Sequence, residues 1–63
     1  MKYFITVFEG NHVAAYGGPY NEYIDAKVTL DNVMLRDTEH AKMENEEGKV
    51  IGWYSRDGVY NEH

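Results

Sequence analysis

The sequence predicts an all-β domain, a small bent antiparallel sheet or open barrel of five to six short strands. Two hairpin signals and one clear loop carry that expectation. Tyr3 to Phe8 are all β-branched or aromatic and are followed at once by Gly10-Asn11 and a second apolar run, Val13-Ala14-Ala15-Tyr16. Later, Ala41 to Glu44 and Lys49 to Tyr54 flank an acidic turn that ends in Gly48. Between them lies Gly17-Gly18-Pro19-Tyr20-Asn21-Glu22, three turn formers in succession with the only proline of the chain.

The length bounds what such a sheet can do. Sixty-three residues make one domain, 1–63, and a chain of this size buries only about 60% of the surface its unfolded form exposes. It has no cysteine, so disulfides cannot supplement the core, and no Cys/His spacing suggests a structural zinc. Nine aromatics, six of them Tyr, make up 14% of a chain that is 43% apolar, which favours folding over disorder.

Taken in order, the first hairpin reads as a two-residue type I′ turn at Gly10-Asn11, since both central positions of that turn need φ > 0. Its register sets Glu9 opposite His12, Phe8 opposite Val13, Val7 opposite Ala14 and Ile5 opposite Tyr16. Phe4, Thr6, Phe8, Val13 and Ala15 then share one face, and Tyr3, Ile5, Val7, Ala14 and Tyr16 the other. Two apolar faces demand cover on both sides, from a barrel wall, a helix or another subunit. After the Gly-Gly-Pro loop, Ala26-Lys27-Val28-Thr29-Leu30 alternates with period two and Val33-Met34-Leu35 resumes an apolar run, so both read as strands. In the second hairpin Gly48 suits the αL position that closes a type I turn with a bulge. Pairing Asn45 with Lys49 places Met43 opposite Ile51 and Ala41 opposite Trp53. A helix over Asp37 to Glu47 competes, with Asp37 or Thr38 as its cap, but Ala41 and Met43 lie two apart where helical burial needs three or four. Arg56-Asp57-Gly58 makes a last turn, and Val59-Tyr60 a short closing strand. Phe4, Phe8, Met43, Ile51 and Trp53 are the expected core.

The second half, Lys27 to Val33 followed by Ala41 to Ser55 and Asp57-Gly58-Val59, resembles in its hairpin style the small SH3-like barrels found among short phage and mobile-element proteins. The opening Met1 to Glu9 is similar to the first strand of HicB-type antitoxins; the helix and proline-rich stretch that follow in that family are not expected here.

Little catalytic chemistry is legible. Ser55 is the single serine, in no elbow or triad context, and Gly17-Gly18-Pro19 lacks a following helix that would bind an anion. His12, His40 and His63 fit no metal spacing; His12 reads as a polar partner of Glu9, and no cofactor is expected. The chain is therefore expected to be a binding protein and not an enzyme. Six Lys+Arg against eleven Asp+Glu leave a net charge of -5, which disfavours nucleic acid or an anionic membrane as the direct partner. The opening apolar run is too short for a bilayer and lacks a signal-peptide cleavage site, so a cytoplasmic location is expected.

The acids are concentrated. Asp37, Glu39, Glu44, Glu46 and Glu47 against Lys42 give residues 37–47 a charge of -4. Such an array either keeps a small hairpin soluble or imitates nucleic-acid phosphates and occupies the basic groove of a nucleic-acid-binding protein. The expected function follows: a small acidic inhibitor, of the kind phages and mobile elements encode, that blocks a host nucleic-acid-handling protein such as a defence nuclease complex or polymerase. Tyr20 and Tyr23, beside the loop, are its expected aromatic anchors. A dimer sequestering a signalling nucleotide and an accessory subunit of a larger assembly are the alternatives, and the two apolar faces of the first hairpin predict a homodimer.

Overall fold

The computed structural model describes residues 1–32 and 38–56, and the backbone of 58–62. Tyr3–Glu9 (β1) and His12–Tyr20 (β2) form the first hairpin, Tyr23–Asn32 a helix (α1), and Glu39–Asn45 (β3), Val50–Ser55 (β4) and Gly58–Glu62 (β5) the remaining strands. The strands build one open antiparallel sheet in the order β2-β1-β3-β4-β5. β2 and β5 are its edges, so the sheet does not close into a barrel. The expected second hairpin and closing strand are both present, and 39–45 is a strand and not the competing helix.

The helix is a correction, because Ala26 to Leu30 was expected to be a strand and no helix was expected after Gly17-Gly18-Pro19. Ala26 and Leu30 fit both periods, being two steps of two apart and one step of four. Val28 breaks the tie: it is 51% exposed while Ala26 and Leu30 are buried. With half-buried Tyr23 and Lys27 they form a stripe at i, i+3, i+4 and i+7, the inward face of a helix. Asp25 lies in the first turn, where the helix dipole favours an acid. Lys27 pairs with Asp31 one turn on, at 3.3 Å, and its ammonium stands 5.2 Å from the Tyr54 ring centre, linking α1 to β4. The second strand expected here, Val33 to Leu35, falls outside the described residues.

The helix packs on β1 and β2 and covers one face of the sheet. That face holds the core: Ile5, Val7, Ala26, Leu30, Ala41, Met43 and Tyr54, with Met43 fully enclosed. Burying these side chains gains roughly 1.5 to 3 kcal/mol for each large one. Phe4, Phe8 and Trp53 are only half-buried and lie on the opposite face, which corrects their assignment to the core; Met43 belongs to it and Ile51 packs against it.

A bulge in each hairpin shifts the expected register, and the second accounts for Trp53; Phe4 and Phe8 keep their expected shared face, which is the one the helix does not cover. Glu9↔His12 and Phe8↔Val13 pair as expected, but Val7 then meets Ala15 and Ile5 meets Gly17, with Ala14 as the extra residue. Ala15 thereby turns to the helix side, and Tyr16 to the outer side beside Phe4. In the second hairpin Glu44 meets Val50 but Met43 meets Gly52, with Ile51 as the extra residue. Tyr54, not Trp53, thus faces Ala41 over the core. A one-residue slip reverses every subsequent side chain.

Turn chemistry is also refined. Gly10 has φ +61° and no described non-glycine residue has positive φ, so the first turn carries the sign pattern of type II′, glycine first, in place of the expected I′. Gly48, at φ +84°, closes the second turn as expected. The Gly17-to-Glu22 loop is shorter than expected, because β2 runs on to Tyr20, which pairs with Tyr3. Gly18 permits this: at φ +121°, a Cβ there would stand 2.8 Å from the Tyr3 carbonyl oxygen.

Candidate interaction surface

Even-numbered side chains of β1 point away from the helix, and register brings aromatic residues of the other strands beside them. Phe8 stacks on His40, cross-strand on β3, at 5.3 Å between ring centres, and both contact Trp53 of β4, at 6.3 and 5.8 Å. Phe4 meets Tyr16 at 6.4 Å on the β2 side. Tyr16 is 66% and Val13 61% exposed. Five rings therefore line a sheet face that no element of the described chain covers. Its charges balance: Lys42 and Glu44 pair at 3.7 Å, and the Lys42 ammonium stands 5.5 Å from the Phe8 ring centre.

The expected acidic array divides among three places. Glu46 and Glu47 are exposed on the β3–β4 turn, which is tightly held. The Asn45 side-chain oxygen accepts the Glu47 and Lys49 N–H groups at 2.9 and 3.0 Å. The Gly48 N–H donates to the Asn45 carbonyl, the Asn45 N–H to the Lys49 carbonyl and the Glu46 N–H to the Lys2 carbonyl, each at 2.9 Å. The Glu46 carboxylate in turn accepts the Lys2 N–H at 2.9 Å. Glu44 lies on the outer face, half-buried beside Lys42. Glu39 begins β3 at the far end, opposite Glu9, about 20 Å from the turn at ~3.4 Å per residue. Asp37 lies outside the described residues.

Tyr20 and Tyr23, the expected anchors, are half-buried and pack against the core. Tyr23 meets Tyr3 edge-on at 6.1 Å. Tyr20 lines a cavity of about 210 Å³ between α1 and the β1–β2 hairpin, with Ile5, Val7, Ala15, Tyr16, Gly17 and Thr29. This is smaller than the roughly 300 to 1,000 Å³ of ligand pockets. No Arg or Lys lines it, so it is ill suited to an anionic nucleotide.

Among the described residues no three metal-ligating side chains gather, and no helix is long and apolar enough to cross a membrane. The chain matches no family model, no curated protein and no solved structure. The outer aromatic face escaped sequence reasoning because Phe4, Phe8 and Trp53 are residues that usually enter cores. The available signal was their shared parity with Thr6 and, across β3, with Lys42 and Glu44.

Proposed function

We propose that the chain is a small acidic binding protein of the inhibitor class, which blocks a nucleic-acid-handling protein by placing carboxylates where that protein expects phosphates. The observation that carries the reading is the acidic turn, whose backbone is held by the Asn45 side chain and by Lys2 while Glu46 and Glu47 stand in solvent. A turn whose backbone is already fixed loses little entropy on docking, which is what a phosphate mimic needs. Glu44, tied to Lys42, contributes less. A partner with a basic groove fits this turn, and a host defence nuclease complex or polymerase is the class of target; a phage or other mobile element is the class of source. The test is capture of host nucleic-acid-binding proteins by the tagged chain at low and high salt, beside the Glu46→Lys, Glu47→Lys double variant. Capture that is lost at high salt and in the variant supports the reading. Capture that neither change weakens, or no capture of such proteins, overturns it.

A further inference from the structure

The outer sheet face has a charge pattern unlike the rest of the chain. The protein as a whole carries -5, yet the face that holds Phe4, Phe8, Tyr16, His40 and Trp53 balances one Lys against one Glu. A basic partner would find little to attract it there. Lys42 and Glu44 are two positions apart on one strand, on either side of Met43, and a two-fold axis passing over Met43 and across β3 exchanges their places.

We propose that this face closes against the same face of a second copy of the chain, strands antiparallel, with Lys42 of each copy against Glu44 of the other. An isologous contact must be self-complementary, and this arrangement is. It lays Phe8 of one copy towards Phe4 of the other on β1, and sets Tyr16 beside Tyr16 on β2 and Trp53 beside Trp53 on β4 across the axis, aromatic on aromatic, in the aligned packing that two sheets adopt. The long and middle extents of the molecule, 30 and 20 Å, cap such a face at about 600 Å² per copy and the pair at ~1,200 Å², the lower limit of stable interfaces, so a weak, concentration-dependent dimer is expected.

The experiment is sedimentation over about 1 to 100 µM, with circular dichroism to confirm that each variant is folded. The wild-type chain is expected to reach twice its 7.3 kDa monomer mass. Tyr16→Lys sets a charge on an exposed position of the face, and is expected to leave a folded monomer. Lys42→Glu or Glu44→Lys alone opposes like charges and is expected to weaken association about tenfold or more. The double exchange, Lys42→Glu with Glu44→Lys, restores complementarity across the axis and is expected to restore the dimer. The Glu46→Lys, Glu47→Lys variant keeps Lys42, Glu44 and every ring of the face and is expected still to dimerise, so this test fails or succeeds independently of the proposed function. A wild-type monomer throughout the range, a Tyr16→Lys dimer, or a double exchange no better than the single ones overturns the proposal.

Discussion

Replacing Asn45 by Ala tests whether one side chain holds the acidic turn together. Asn45 is 6% exposed, and its oxygen accepts two backbone N–H groups, from Glu47 and Lys49. An intramolecular hydrogen bond contributes about 0.5 to 1.5 kcal/mol net. Glu47 and Lys49 are both exposed, so water can take over part of the bonding, which sets the expected loss at about 1 to 2 kcal/mol. The total stability of a chain this short is about 3 to 9 kcal/mol, so the loss is a sizeable fraction of it. For a domain of 60 to 100 residues it corresponds to a fall in Tm of roughly 4 to 16 °C. Thermal and urea denaturation followed by circular dichroism would measure it. Asn45→Asp keeps an acceptor oxygen in the same place and is expected to lose less, despite its added charge beside Glu44 and Glu46. An Asn45→Ala chain within about 0.3 kcal/mol of wild type would refute the reasoning, as would an Asp variant less stable than the Ala variant.

Three further predictions probe the rest of the fold. Met43→Ala empties the only fully enclosed large side chain among the described residues; a loss of about 2 to 5 kcal/mol is expected, enough to leave much of the chain unfolded at room temperature by urea titration. Gly18→Ala combines an unfavourable φ with a methyl 2.8 Å from the Tyr3 carbonyl, whereas a Cβ at Gly10 meets nothing within 4 Å. Gly18→Ala should therefore cost more in Tm than Gly10→Ala, and equal losses would discount the close approach. Glu9 and Glu39 are directly paired across β1 and β3, so Glu9→Lys is expected to raise stability by about 0.2 to 1 kcal/mol at low salt, with the gain shrinking as salt is added.

How much of this was legible in the sequence differs from element to element. Both hairpins were, because their signals are local: Gly10 and Gly48 occupy positions where the backbone needs positive φ, and the flanking residues favour strands. The pairing nearest each turn, Glu9↔His12 and Asn45 with Lys49, was legible for the same reason. The acidity of the β3–β4 turn was equally plain. The helix was not, since Ala26, Val28 and Leu30 satisfy alternation as well as a helical stripe, and only packing against β1 decides between them.

By itself, then, the sequence determined an antiparallel β-sheet with its turns in place, a thin core and a net negative charge, all of which follow from residue type and short spacing. Tertiary structure decided which side of the sheet each residue occupies. The bulges at Ala14 and Ile51 each insert one residue into a ladder of period two, and so exchange Ala15 with Tyr16 and Tyr54 with Trp53 between the helix side and the outer face. No local propensity encodes that choice: it is settled by packing on the helix side, where Tyr54 joins the core beneath Lys27 while Tyr16 and Trp53 stay on the aromatic face.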